Sequence, residues 1–281
     1  MKDRVLRGGS YPNYDSRFLR AANRYRIEPE DRYWFIGFRL VLPSPSSPSP
    51  SPSRVQMKNH DKQRLIDLLR SEDHFEQAVE LCRSLGLSSD TVLGWLGFEV
   101  ELVSIPDGPG QIGEKGRRES VEFEEFEMAA TMTTVAQWTA IMGWVHTGRE
   151  RRAVTDADRT DQRPVVNVNA YEVEEFCRRL ESIYGLDGVA VEVRIPHSAE
   201  WEYAAQGGED HVYAGSDDPD EVAWYADNSD YQLQPVGLKK PNGYGLYDMS
   251  GNAYTWTCTD WADDDPSGAK AYRSFIAPEK P

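Results

Sequence analysis

The apolar positions between residues 57 and 96 recur at helical spacing. The residues that repeat at intervals of three and four are Leu65, Ile66, Leu69, Phe75, Val79, Cys82 and Leu85. This spacing predicts two short amphipathic helices, with Gly86 ending the second. The segment is expected to be either a small appendage or a brace packed on the rest of the chain. Because such an apolar stripe is typical of core, no chemistry is assigned to it.

From Phe98 onward the pattern changes to short apolar runs between loops rich in glycine, proline and aspartate. Runs such as Val100 to Ile105 and Val189 to Ile195 predict strands. Apolar residues on one face predict a helix from Ala170 to its end at Gly185. A second helix is expected to begin at Ser198, whose hydroxyl would cap its first turn. Few strands, two helices and long loops indicate an α+β domain rich in irregular structure.

Residues 43 to 53 consist only of serine and proline. Proline lacks a backbone donor and serine has nothing apolar to bury, so residues 42–56 are predicted to be a linker. This linker separates residues 1–41 from a helical appendage at 57–96 and a main body at 97–281.

The formal net charge of −16 repels nucleic acid and anionic membranes, so neither is expected as a partner. Residues 1–41 nevertheless hold nine Lys and Arg against five Asp and Glu, a net of +4, and the other 240 residues carry −20. This split predicts two pieces that attract each other, although solvated surface charge explains it equally well.

No run of eighteen apolar residues predicts a membrane span, and residues 1–10 do not resemble a signal peptide. A cytoplasmic protein without membrane insertion is expected, and display on a cell or virion surface is left open. The three cysteines, Cys82, Cys177 and Cys258, are too few and too widely spaced for a disulfide framework or a zinc site. They are expected to be buried as small apolar residues.

Several long motifs occur in an order typical of one family. Residues 194–205 read RIPHSAEWEYAA, residues 235–237 read PVG, and residues 241–252 read PNGYGLYDMSGN. Over about residues 98 to 261 the chain resembles the formylglycine-generating enzyme and its sulfatase-modifying-factor relatives. That resemblance implies a C-type-lectin-like fold.

The motifs that close this family stand at the other end of the chain. Residues 7–11 read RGGSY and residues 36–41 read IGFRLV. The chain therefore resembles a circularly permuted member, in which residues 1–41 complete the domain. Permutation is tolerated where the original termini lie close together at the surface, and engineering and natural rearrangement are both open origins.

Enzymes of this family resemble copper oxidases that use two cysteines shortly after the Gly-Gly-Ser turn. Asn13 and Phe18 stand at those two positions, and neither binds Cu(I) as a soft thiolate does. The chain is therefore expected not to be an enzyme. Two other hypotheses remain: an oxidase-like protein or related metalloenzyme acting on peptide thiols, and a signalling adaptor formed by residues 57–96.

Between Tyr11 and Phe35, seven of 25 residues are aromatic, mixed with Asn, Asp, Ser and Arg. Such mixtures are typical of antibody paratopes, although aromatic residues of the core are the alternative. The blocks around them resemble the variable region of diversity-generating-retroelement target proteins. That resemblance implies binding of a protein or other macromolecular ligand. The implied contact residues are Tyr11, Asn13, Tyr14, Asp15, Ser16, Phe18, Tyr25, Arg26, Ile27, Tyr33, Trp34 and Phe35.

The family resemblance also implies calcium, although no cofactor is required by the binding hypothesis. Asp227, Asn228 and Asp230 supply hard oxygen ligands at plausible spacing. An acidic, solvated loop is the alternative.

Overall fold

The structure is a computed structural model that describes residues 2–43, 57–113, 116–147 and 150–261. Most of the predicted linker at 42–56 and the main body after residue 261 lie outside the described residues. The helices are α1 (Asn59–Arg70), α2 (Phe75–Ser84), α3 (Ser89–Leu96), α4 (Val135–Met142), α5 (Ala170–Tyr184), α6 (Ser198–Gln206) and α7 (Pro219–Val222). The strands are β1 (Arg4–Arg7), β2 (Tyr25–Ile27), β3 (Ile36–Gly37), β4 (Val41–Pro43), β5 (Leu102–Ile105), β6 (Gly108–Ile112), β7 (Glu119–Phe123), β8 (Phe126–Ala129), β9 (Trp144–Thr147), β10 (Glu150–Ala153), β11 (Ala223–Trp224), β12 (Ser250–Gly251) and β13 (Tyr254–Asp260).

The first 43 residues contribute strands to sheets that the rest of the chain completes. One sheet has the order β2-β1-β13-β3, in which β1 is antiparallel to β13 and β3 is parallel to it. A second sheet has the order β4-β8-β5 and is antiparallel throughout. Residues far apart in sequence therefore lie side by side, as Leu6 does opposite Trp256.

The helices α5 and α6 begin where polar side chains satisfy their first backbone N–H groups. Asn169 Oδ1 accepts the Glu172 N–H at 3.0 Å, and Glu172 Oε2 accepts the Asn169 N–H at 3.0 Å. At α6 the expected cap was wrong: His197, one residue earlier, caps the helix, and its Nδ1 accepts the Ala199 N–H at 3.2 Å. Burial lowers the pKa of His197 to about 3, so this nitrogen can accept. The Ser198 hydroxyl instead accepts from Arg7 Nε at 2.8 Å.

Other elements differ from the pattern-based expectation. Residues 57–96 form three helices and not two, because Ser88 caps a third helix through its hydroxyl. The predicted strand at 189–195 is absent, since Arg194 alone forms an isolated bridge to Val41. The predicted helix from Ala170 is confirmed and ends at Tyr184.

The three N-terminal helices pack on the main body and do not stand apart from it. Leu65, Phe75 and Val92 belong to the same buried cluster as Trp138 and Phe176. Within this cluster, Trp138 and Phe176 stack at 5.3 Å between ring centroids. Among the described helices, none is both long enough and apolar enough to cross a membrane.

Candidate functional site

The aromatic-rich segment between Tyr11 and Phe35 leaves β1 through a tightly fixed turn. Gly9 has a φ of +70°, and a Cβ there would lie 2.6 Å from the carbonyl oxygen of Phe18. Asn13 Oδ1 accepts the Ser10 N–H at 2.7 Å, and the Tyr11 N–H donates to the Asn252 carbonyl at 2.9 Å. The start of the segment is therefore held by one backbone hydrogen bond and by one that the Asn13 side chain accepts, and neither depends on the aromatic side chains.

The far end of the segment is fixed in the same way. The Asn167 N–H donates to the Tyr33 carbonyl at 3.1 Å, the Ala170 N–H donates to the Pro29 carbonyl at 3.0 Å, and the Tyr254 N–H donates to the Phe35 carbonyl at 2.9 Å. These carbonyls belong to the loop that carries the last aromatic cluster. The loop is thus joined to the start of α5 and to β13.

Most of the predicted contact residues reach solvent. The exposed fractions are 72% for Tyr14, 53% for Tyr25, 50% for Trp34, 43% for Phe18 and 39% for Tyr33. Arg26 is also exposed, and Asn13, Asp15, Ser16 and Phe35 are half-buried.

The structure differs from the expectation at Tyr11 and Ile27, which are each only 6% exposed. Ile27 is the inward-facing end of β2 and pairs with Arg4. The side chains of Tyr11 and Ile27 are therefore buried beneath the exposed residues of the segment.

The exposed rings of Tyr25, Tyr33 and Trp34, called here the aromatic surface, join one network of touching rings. Trp34 contacts Tyr11 at 5.3 Å and Phe35 at 5.2 Å between centroids. Phe35 stacks on Tyr33 at 5.3 Å. Aromatic residues from the two ends of the segment therefore meet in space.

Tyr254 completes this network, and the sequence motifs gave no indication of its role. Its ring lies 6.1 Å from that of Phe35 and 6.0 Å from that of Tyr25. A buried tyrosine on β13 thus links two clusters from the segment. In the sequence, aromatic residues and threonines alternate from Tyr254 to Thr257, which is typical of a strand, but nothing there marks Tyr254 as part of the site.

Tyr14 takes part in a separate contact with Tyr231, another residue absent from the sequence prediction. The two rings lie 5.6 Å apart, Tyr231 is 52% exposed, and its φ is +55°. Nearby, Asp15 caps a short 3-10 helix at Ser16–Leu19 by accepting the Arg17 N–H at 2.9 Å. The side-chain hydrogen bond from Arg17 lowers the pKa of Asp15 to about 2.

Phe18 lies away from the ring network and lines a groove of about 820 Å³. Residues 17–23 form one wall, and the end of α6 with residues 210–213 forms the other. Below it, Arg7 Nη2 and Glu202 Oε2 lie 2.9 Å apart with both side chains buried. Glu202 Oε1 also accepts the Gly113 N–H at 2.8 Å. Arg7 Nη1 donates to the Ala21 carbonyl at 3.1 Å, which fixes the first wall.

Glu172 forms ion pairs that hold the loop carrying Tyr33 and Trp34 in place. Its Oε1 lies 2.9 Å from Arg32 Nη2, 3.0 Å from His146 Nε2 and 3.2 Å from Arg151 Nη2. Burial alone would raise the pKa of Glu172, but the hydrogen bonds from His146 and Arg32 lower it well below its ordinary range.

We expect Glu172→Gln to lower stability at pH 7 by about 2 kcal/mol, because a charged hydrogen-bonded group is lost. A carboxylate whose pKa is lower in the folded state stabilises above its unfolded pKa of about 4.3 and loses that contribution as pH falls toward the folded value. Melting of the wild type and the variant should therefore differ at pH 7 and begin to converge as pH falls below about 4. A difference that stays constant down to pH 3 would contradict this role.

The cysteines lie apart from the site. Cys82 and Cys177 are buried and Cys258 is half-buried, and all three are free thiols. Burial raises the pKa of Cys82 to about 11 and that of Cys258 to about 12, and it raises the pKa of Cys177 further. Of the two residues predicted to stand at cysteine positions, Asn13 is engaged with Ser10 and Phe18 lines the groove.

The loop predicted to bind calcium has exposed carboxylates at Asp227 and Asp230. Asn228 Oδ1 already accepts the Tyr225 N–H at 3.0 Å, and its Nδ2 donates to Asp220 Oδ1 at 3.0 Å. No group of three or more His, Cys, Asp and Glu side chains suited to a metal ion occurs within the described residues. Calcium binding at this loop stays a prediction.

The sequence and fold now define the family. The Sulfatase-modifying factor enzyme 1-like domain model matches residues 99–274, and the chain belongs to this family. The resemblance inferred from the motifs at 98–261 is confirmed, as is the α+β, C-type-lectin-like fold. The order of the permuted pieces and the assignment of residues 1–41 stay predictions.

Individual relatives cover different parts of the chain. It is 28% identical to the chaperone protein LppX of Paenibacillus barcinonensis, over 63% of this chain and 77% of that protein. It is 38% identical to the formylglycine-generating enzyme of Mycobacterium tuberculosis over 24% of this chain, and it spans 27% of that enzyme's length. Among solved structures, Treponema denticola variable protein 1 matches with a TM-score of 0.47 and 26% identity, over 58% of this chain and 75% of that one.

Proposed function

We propose that this protein binds a macromolecular ligand without catalysis and is a diversity-generating-retroelement variable protein. The observation that carries the proposal is the aromatic surface: Tyr25, Tyr33 and Trp34 are exposed, yet their rings join one network. Large rigid rings offer contact area at a low cost in side-chain entropy. Backbone hydrogen bonds hold the segment at both ends, so side chains can vary without loss of the loop path.

The test compares the wild type with the triple variant Tyr25→Ala, Tyr33→Ala and Trp34→Ala. Each immobilised protein is exposed to outer-surface protein extracts of candidate host cells, and captured proteins are quantified. We expect specific capture by the wild type to fall at least about tenfold in the variant, because interface aromatics are frequent hot spots. Leu238→Ala is the control, since Leu238 is 62% exposed and lies outside the segment.

Thermal melting separates binding from folding. Because all three rings are exposed, the melting temperature of the triple variant should stay within a few degrees of the wild type. A collapse in melting would make these residues structural and would reject the binding surface. Equal loss of capture by Leu238→Ala would also reject it.

The competing enzymatic hypothesis predicts copper binding by thiolates. Since burial raises the pKa of every cysteine, we expect no stoichiometric Cu(I) site at pH 7 in a chelator-competition titration. Reaction of the folded protein with a thiol reagent should be slow and should accelerate on unfolding in urea. Binding of one Cu(I) per chain, or oxidation of a peptide thiol by the purified protein, would favour the oxidase instead.

We also propose that residues 1–41 are the permuted closing part of the domain. The pairing of β1 and β3 with β13, and of β4 with β8, supports this assignment.

A further inference from the structure

The groove beside Phe18, called here the cationic groove, is a second candidate site that the sequence motifs did not indicate. Its volume of about 820 Å³ lies in the range of pockets that enclose most of a small ligand or a short peptide segment. Its charged and polar lining includes Arg17, Arg20, Arg118, Gln206 and His211. Apart from Phe18, the predicted contact residues do not line it.

The charge of the groove is opposite to that of the whole chain. Arg20 is exposed and makes no ion pair within the described part of the chain. Arg118 Nη1 lies 3.9 Å from Asp210 Oδ1, and the Asp210 side chain is 96% exposed, so solvent weakens this pair. The other acidic lining residue, Glu202, is neutralised by Arg7 at 2.9 Å. Arg17 is paired with Asp15 at 2.5 Å, and His211 Nδ1 lies 3.6 Å from Asp217 Oδ1. The cations that a ligand meets at the mouth are therefore mainly Arg20, on which the charge of Asp15 also acts, and Arg118, in a chain of net charge −16.

The walls of the groove also offer apolar area. Phe18 is 43% exposed and Val212 is 46% exposed, on opposite walls. Ala21 and Ala22 line the same wall as Phe18 and add small apolar side chains to it. A ligand that fits both features has negative charges for the arginines and an apolar group for Phe18.

We propose that the cationic groove binds an acidic peptide segment of the protein ligand, with carboxylates paired to Arg20 and Arg118 and an apolar side chain against Phe18. This inference rests on the proposed binding function and adds a ligand chemistry to it. Arg118 and the wall at 205–213 lie outside the aromatic-rich segment, so this part of the groove does not change when that segment varies, whereas the contact at Phe18 does.

An acidic peptide fits better than a nucleic acid. A strand of phosphates needs a continuous cationic track, and the acidic remainder of the chain repels a long polyanion. A short peptide needs only local charge complementarity, which adds to affinity at low salt and fixes orientation.

The probe is a labelled octapeptide of alternating Glu and Phe, compared by fluorescence anisotropy with its Gln–Phe and Lys–Phe counterparts and with dT8. We expect the Glu–Phe peptide to bind at least about tenfold more tightly than the others at low salt, and to weaken as salt rises. The double variant Arg20→Gln and Arg118→Gln should lose most of this preference. Asp210→Asn, which removes a carboxylate from the wall, should strengthen binding.

Two variants control for structural effects. Arg20→Lys with Arg118→Lys keeps the charge and should keep a preference for Glu over Gln peptides. Arg83→Gln removes an exposed arginine on α2, which pairs with Glu80, and should change nothing. Equal binding of the Glu–Phe and Gln–Phe peptides, tighter binding of dT8, or the same loss in Arg83→Gln would overturn the proposal.

The two proposals fail separately. If the Glu–Phe peptide binds but the triple aromatic variant still captures its ligand, the cationic groove is supported as a binding site and the aromatic surface is rejected. If the triple variant loses capture while the peptides show no preference for Glu, the aromatic surface stands and the acidic ligand class is rejected.

Discussion

Replacing Glu202 with alanine is expected to lower the free energy of unfolding by about 3 to 5 kcal/mol. Arg7 is fully buried, and Glu202 Oε2 lies 2.9 Å from its Nη2. Burial lowers the pKa of Arg7 to about 10, so the guanidinium remains charged at pH 7. The substitution leaves that charge buried without its partner and removes the acceptor of the Gly113 N–H.

Urea unfolding at pH 7 measures this effect against an exposed pair of the same type. Glu174 Oε1 lies 3.2 Å from Arg4 Nη2, with 53% of the Glu174 side chain exposed. Glu174→Ala should therefore cost less than about 1 kcal/mol. The double variant Arg7→Met with Glu202→Leu should lose less than Glu202→Ala, because an apolar pair leaves no buried charge. Equal losses for Glu202→Ala and Glu174→Ala would show that the buried pair does not stabilise the fold.

The sequence predicted those elements whose start or spacing is local. The helix after Asn169 has a capping residue, a carboxylate three positions later and a continuous apolar face, and all of these act within one or two turns. The helix at 89–96 was missed because Gly94 interrupts a short segment that opens with serines. The apolar run at 189–195 predicted a strand, but Arg194 bridges only Val41, so it has no partner for a ladder.

The candidate site was predicted only as far as it is continuous in sequence. Composition indicated the segment between Tyr11 and Phe35, but could not separate outward from inward side chains there. Ile27 is buried because β2 pairs with β1, and Tyr11 is buried because its ring packs against that of Trp34. Tyr231 and Tyr254 join the site through contacts more than 200 residues away in sequence, which no local pattern encodes.

The contacts that fix this segment use mainly its backbone. The carbonyls of Pro29, Tyr33 and Phe35 accept hydrogen bonds from residues of the main body. A substitution at Tyr33 or Phe35 leaves such a bond in place, since the carbonyl does not depend on the side chain. The segment can therefore present different side chains on one backbone path, which is the physical requirement of a diversified binding surface.

The largest local effect on that path is expected from Gly9→Ala. At a φ of +70°, any residue with a Cβ is strained, and the added atom would lie 2.6 Å from Phe18 O and 2.9 Å from Leu19 Cδ2. Strain and overpacking together should lower the free energy of unfolding by about 3 kcal/mol. The backbone at Phe18 must also shift, so ligand capture should weaken even where the protein remains folded.

Gly86→Ala separates the two contributions. Gly86 has a similar φ of +66°, but nothing lies within 4 Å of its added Cβ. It should therefore show strain alone, about 1 kcal/mol, and unchanged capture. Urea unfolding and capture assays on both variants measure the difference. If Gly9→Ala costs no more than Gly86→Ala, the close approach of Gly9 to Phe18 does not constrain the turn, and the segment adapts to a Cβ without moving its binding residues.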